Sequence, residues 1–252
     1  MEKKGLALIA LSIVVGLTFG AYLLGKSIER FKSDDRYISV KGFAEREVKA
    51  DLVIWSMKIR IAINDLQLGN VSMNSSKEKV LQFLIKNEIN RDEIILRDLT
   101  VTDRQANEYS DPNPNEKFRY LIEETIEIRS NNVDRVQKVS RMTNELLNAG
   151  VVLSTKNDWS GTGLKFIFTK LNSIKPEMLS EATRNAKRAA EEFTKESKTN
   201  LGKMRKANQG LFSILDRDEF LSGQSEGNYN PNGTSDFFKK IRVVISVDYS
   251  ID

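Results

Sequence analysis

The amino-acid sequence reads as an α+β protein, mainly antiparallel sheet with three main helices, carried behind one N-terminal transmembrane helix. Three observations say so. Residues 5–25, GLALIALSIVVGLTFGAYLLG, are uncharged and mostly apolar. From Val53 to Ile63 every odd position is apolar, while Ser56, Lys58, Arg60 and Asn64 hold the even side, the period of a half-buried strand. Strands and helices then succeed one another without the strict strand-helix-strand alternation that builds a parallel sheet.

The apolar run is long enough as a helix to cross roughly 30 Å of hydrocarbon. A cleaved signal peptide would carry a shorter run and a small-x-small cleavage site, whereas Lys26, Ser27, Ile28, Glu29 and Arg30 come next here. The expectation is an uncleaved signal anchor, with a removed signal peptide as the alternative. It divides the chain into a cytoplasmic stub (1–4), a membrane span (5–25), a linker (26–36) and a body (37–252). Lys3 and Lys4 precede the span and Lys26, Arg30, Lys32 and Arg36 lie after it, so charge alone does not set the orientation. A short stub before a single apolar segment is the layout of an anchor that exports the polypeptide C-terminal to it, which places the body in the periplasm or cell exterior, tied to the cytoplasmic membrane. Ser12, Gly16 and Gly20 recur every fourth residue, a small-xxx-small face on which two such helices approach closely; glycine is also simply common in such helices.

Composition excludes several chemistries. Among 252 residues there is no His and no Cys, so there is no Ser-His-Asp triad, HExxH helix, thiolate zinc site or cysteine nucleophile. The 39 Lys and Arg against 35 Asp and Glu suggest a basic protein, but residues 1–30 hold four of the former and two of the latter. The rest carries 35 against 33, net +2, which gives no reason to expect nucleic acid as a partner.

In the body, Ile38, Val40 and Gly42 begin a strand expected to pair with 53–63 as an antiparallel hairpin. Next comes a helix in which Val80, Leu81, Leu84 and Ile85 share a face, then strands over 94–103 and 118–129 flanking Asp111-Pro-Asn-Pro-Asn115, a long hairpin tip. Val133, Val136, Val139, Met142 and Leu146 mark a second helix, stopped by Gly150, and a strand lies near Leu164, Phe166 and Phe168. The third helix starts near Pro176, with Leu179, Ala182, Ala186, Ala189 and Phe193 as its packing stripe and Asn200 and Gly202 at its end. Strands over 203–215 and 237–249 enclose a polar loop, Asp216 to Asp236. Helix, strand, long loop and strand thus recur at 77–129 and 176–249, a weak internal repeat.

The opening ISVKGFAEREVKADLVIWSMKI, the stretch DEIILRDLTVTDR and above all the run ATRNAKRAAEEFTKESKTNLGKMRKANQG resemble the SIMPL-domain family. Ala50 stands where a proline often precedes the aspartate, and Lys41 and Phe43 flank Gly42 where the family is richer in glycine. The resemblance implies an α+β domain of two packed subdomains, export, and assembly into homo-oligomers, sometimes ring-like or channel-like. The family is largely of unknown function, with links to oxidative-stress tolerance in some bacteria, and the resemblance brings no catalytic residues or cofactors.

Residue by residue, the chemical candidates reduce to structural roles. Glu123, Glu124 and Glu127 could supply a carboxylate pair for hydrolysis, but Glu123 and Glu127 share a polar strand face with Arg119 and Arg129, which predicts charge pairing. Asp216, Asp218 and Glu219 begin like a calcium loop, yet Phe220 and Leu221 occupy the next ligand and the turn glycine. The basic residues of the third helix and its exit, among them Arg184, Lys187, Arg188 and Lys195, suit anionic lipid, but Glu191 and Glu192 stand four residues from Lys187 and Arg188. Trp55 reads as core; Trp159, in a loop-like setting, and Tyr229, in the last long loop, are the candidate interface aromatics. The sequence therefore predicts no catalytic, metal or cofactor site, and a self-associating membrane-anchored scaffold. A hydrolase built on carboxylates or a Ser/Lys pair and an anionic-lipid-binding module are the alternatives.

Overall fold

The computed structural model describes residues 15–22, 36–106, 117–154, 163–217 and 236–252. Its strands are β1 (Tyr37–Lys49), β2 (Leu52–Ile63), β3 (Ile94–Asp103), β4 (Tyr120–Ser130), β5 (Leu153–Ser154), β6 (Gly163–Ile167), β7 (Leu201–Asp216) and β8 (Phe238–Ile251). The helices among the described residues are α1 (15–22), α2 (Leu66–Lys86), α3 (Val133–Ser140), α4 (Asn144–Asn148) and α5 (Leu171–Glu196), with a 3-10 turn at Arg91–Glu93. The strands form two sheets, β1-β8-β7 and β3-β4-β2-β5, with β6 also on β2. The fold is α+β, and its sheets are antiparallel.

The chain divides into two compact units, one of residues 1–45, 174–213 and 242–252, the other of 46–173 and 214–241. In the first, α5 buries a stripe that opens on Met178 and is otherwise small. Met178, Ala182, Ala186, Ala190 and Thr194 are buried at every fourth position, and Gly42 of β1 meets them. A Cβ on Gly42 would lie 2.5 Å from the Ala186 nitrogen and 2.7 Å from its Cβ, so only glycine lets strand and helix backbones come this close. Asn185 donates to the Phe43 carbonyl at 2.9 Å, beside that contact. This corrects the expected stripe: Leu179, Ala189 and Phe193 lie off its axis, and Phe193 is 60% exposed. A backbone contact selects small side chains rather than large apolar ones.

Helix α5 also starts one turn before Pro176, at Leu171, and its end is made by Lys198 at φ 54, Thr199 N bonding Thr194 O at 3.0 Å. Gly202 lies instead in β7, against Ser250. β8 alternates as expected, with Ile241, Val243, Ile245, Val247 and Tyr249 buried. Its end runs antiparallel to the start of β7, Asn200 and Asp252 exchanging both backbone bonds.

The second unit rests on the pairing of β2 with β4, in register from Val53 opposite Ser130 to Ile63 opposite Tyr120. Val53, Trp55, Met57 and Ile59 join Ile122, Ile126 and Ile128 in the core. Helix α2, capped by Asp65 accepting from Gln67 N and Leu68 N, covers that side with Met73, Val80, Phe83 and Leu84. The expected hairpin of the first two strands does not form, since β1 pairs with β8 and β2 with β4. Ala50 and Asp51 are no hairpin turn: their amides bond Phe237 O at 3.0 Å and Ile167 O at 3.1 Å, and the Asp51 carboxylate accepts from the amide and hydroxyl of Thr169. The second helix is two, α3 and α4, broken where Arg141 and Met142 switch to bonds three residues back. Gly150, at φ +79, comes after α4 as its stop.

Helix, strand and paired strand do recur, as α2-β3-β4 and α5-β7-β8. Both hairpin tips lie outside the described residues, as do Trp159, Tyr229 and Ser12. Among the described residues no helix is long and apolar enough to cross a membrane. Gly16 and Gly20 lie in α1, where an added Cβ would meet nothing within 4 Å.

Two features of this fold can be tested directly. Gly42→Ala should cost about 1–3 kcal/mol in urea unfolding, the range for overpacking a close contact; an unchanged midpoint would mean that β1 and α5 part freely. At the mouth of the β3–β4 hairpin the fork of Arg119 holds the Asp103 carboxyl below the ordinary carboxylate range. Because the folded value is the lower one, this stabilisation is present above the unfolded value and is lost as pH falls through the folded one. The Asp103 carboxyl resonance should titrate lower than in Arg119→Met, and equal midpoints would contradict the clamp.

Candidate functional site

With neither His nor Cys in the chain, function turns on what the fold does with its carboxylates, guanidiniums and apolar surface. Three places in the second unit gather such groups.

The first is the open side of the five-stranded sheet. Arg60 lies 2.6 Å from Glu123, and Arg97 donates to both oxygens of Glu127, at 3.2 and 2.8 Å. That bonding raises the pKa of Arg97 further, so its guanidinium stays charged. A depression of about 300 Å³ here is lined by Ser56, Lys58, Arg97, Glu123, Thr125 and Glu127. Glu123 and Glu127 do pair with arginines, but with Arg60 and Arg97 rather than Arg119 and Arg129. Arg60 stands directly opposite Glu123 and Arg97 reaches Glu127 diagonally from the bulge, both across neighbouring strands, and Arg119 is taken by Asp103. Carboxylates locked to guanidiniums make a poor acid and base pair.

The second place is a polar cleft at the strand ends, with lobes of about 560 and 440 Å³ that share Asn131 and Asn132. Its walls are cross-linked to themselves. Ser130 donates to Glu93 at 2.5 Å, Glu93 also accepts from the Asn90 amide at 2.9 Å, and Arg135 donates to the Glu88 carbonyl at 2.6 Å. Asn132 caps α3 by accepting from Arg135 N, while Lys49 pairs with Asp134 at 2.6 Å. These bonds fasten β4, α3 and the 3-10 turn together, and the charges lining the cleft largely cancel.

The third place lies between α2 and β3. Helix α2 packs on β2 and β4. Ile94, Leu96, Leu99 and Val101 of β3 pair with Ile128, Ile126, Glu124 and Ile122, which puts all four on the helix-covered side of the sheet. Ile94 packs on the core, but the other three are left uncovered: Leu96 is 50% exposed, Leu99 51% and Val101 45%. Beneath this shelf Glu124 is buried. Its Oε1 bonds Lys77 of α2 at 3.1 Å, and its Oε2 has no hydrogen-bond partner among the described residues. A ladder irregularity between Leu96 and Leu99 keeps both leucines on one side by setting Arg97 and Asp98 together against a single residue of β4.

Sequence reasoning passed over this shelf and the Glu124–Lys77 pair. The signal for the shelf was present, because the alternation in IILRDLTV changes phase at Arg97-Asp98, as a bulge requires. Elsewhere, Lys187 and Glu191 do meet along α5 at 3.6 Å, and Asp216 is spent on a buried bond to Lys239. Asp218 and Glu219 lie outside the described residues. Among those described, no three acidic side chains converge as a metal site would need.

Taking Lys77 away from the buried Glu124 should be costly and removing both should not. Lys77→Met is expected to destabilise by about 1–3 kcal/mol in urea unfolding, whereas Lys77→Met with Glu124→Met returns to within about 1 kcal/mol of the parent. A double variant as weak as the single would show that Glu124 is held by more than Lys77.

No curated protein matches the chain. Residues 38–236, from the second residue of β1 to the residue two before β8, match the model of the SIMPL family, described as a protein of unknown function (DUF541), and over that span the chain belongs to the SIMPL family.

Proposed function

We propose that this SIMPL protein is a single-pass membrane-anchored scaffold whose body lies outside the cytoplasm and self-assembles, and that it is not an enzyme. The observation that carries the reading is exposed apolar surface of two kinds. In α1, Val15, Leu17, Phe19 and Tyr22 all lie more than half exposed, within a run of 21 uncharged residues; such surface belongs in lipid. On the body, the β3 shelf leaves large aliphatic side chains in water beside the core, a surface that marks an interface. The polar places, by contrast, are occupied by their own ion pairs, which supports a binding and assembly role over hydrolysis.

The full-length chain purified in detergent should elute as one defined oligomer by light scattering corrected for bound detergent, and a monomer would end the reading. Orientation has its own test. The chain has no cysteine, so a single Gln82→Cys on the exposed side of α2 reports its compartment. A membrane-impermeant maleimide should label it in intact cells, and labelling only after lysis would place the body in the cytoplasm.

A further inference from the structure

We propose that β3 is a two-fold contact, pairing with β3 of a second copy of this chain around the step from Arg97 to Asp98; this rests on the self-assembly reading above. An isologous contact needs a surface complementary to itself, and in an antiparallel strand pair that means a side-chain pattern symmetric about the midpoint. With the bulge at its centre β3 has this pattern. Ile94 and Leu96 on one flank and Leu99 and Val101 on the other share one side of the sheet, while Arg97 and Asp98 share the other. Turning a second copy about an axis through the Arg97–Asp98 step sets Leu96 against Leu99 of the second copy and Ile94 against its Val101. It sets Arg97 against its Asp98, and every contact occurs twice.

Charge agrees with this register. Asp98 is exposed and Arg97 spends one terminal nitrogen and Nε on Glu127, which leaves its other terminal nitrogen for the carboxylate of the second copy. The neighbouring registers, moved by one or two residues, bring Asp98 to itself or an aliphatic side chain to the charged step. The bulge also selects the occupant. An edge strand broken by a bulge is poorly matched to an arbitrary flat strand, whereas a second copy carries the same bulge at the same place. The contact joins the two sheets edge to edge with α2 of each copy on the same side, and the exposed leucines between the two helices cover one another.

The test uses cross-linking on a chain that has no cysteine of its own. Full-length Leu96→Cys and Leu99→Cys variants are mixed in detergent and exposed to a mild oxidant. The mixture should give a disulfide-linked dimer and each variant alone should not, because like positions are then offset by two ladder positions, about 7 Å along the strand in addition to the spacing between strands, beyond disulfide reach. Asp98→Arg, on an exposed position, should weaken dimer formation about tenfold and more at low than at high salt. If the parent chain is oligomeric but the mixture cross-links no more than its separate components, β3 is not the contact and self-assembly stands on another surface. If the parent is a monomer, both proposals fall.

Discussion

The register between β2 and β4 decides which side of the second unit each residue occupies. Eleven residue pairs run without a break from Val53–Ser130 to Ile63–Tyr120. A shift of one residue would turn Trp55, Met57 and Ile59 to water and bury Lys58 and Arg60. Both ends are fastened. At one, Asn64 accepts from the Arg119 amide at 2.9 Å and donates to the Lys117 carbonyl. At the other, Asp51 takes the amide and hydroxyl of Thr169 while Ser130 is tied to Glu93. The charged pairs on the open side and the seat of α2 on the covered side are consequences of that alignment.

A second constraint governs the first unit, and it acts through absence of side chain. Gly42 and the alanines of α5 bring two backbones together, so the stripe is chosen by size and not by hydrophobicity. Tyr249, the last buried residue of the β8 alternation, shows the cost of that dry setting in its hydroxyl, whose pKa burial raises. Buried polar groups in the same helix are satisfied internally: Thr194 donates to the Ala190 carbonyl at 3.0 Å.

Legibility in the sequence depended on how local the determining interaction was. The alternation in 53–63 and 241–249, the long hairpins and the stop at Gly150 were readable, since each is set by period or by one backbone angle. The partner of β1 was not, because a two-residue connector reads as a hairpin turn, and what prevents it is bonding to Phe237 and Ile167, far along the chain. The stripe of α5 was misread in phase because Phe193 outweighs Thr194 on any hydrophobicity scale, while the constraint lay in Gly42, about 150 residues earlier. The side of Glu124 was legible, since it stands between Ile122 and Ile126 in the alternation, but its partner Lys77 lies on a helix 47 residues earlier and no spacing in the strand points to it.

What sets β3 apart is that three large aliphatic residues, Leu96, Leu99 and Val101, stand exposed in a row on the helix-covered side of a sheet edge. A bulge and charge at an edge strand both discourage pairing with an arbitrary strand, so Arg97 and Asp98 alone would suit a protected edge, and it is the aliphatic row beside them that solubility does not explain. The bulge shifts the phase so that Leu99 and Val101 stay beside Leu96. Above them α2 stops short, with Lys77 reaching down to Glu124 rather than a larger apolar side chain reaching out to the edge. The proposed two-fold contact accounts for the irregularity and the exposed apolar area together, since a second copy would close over both.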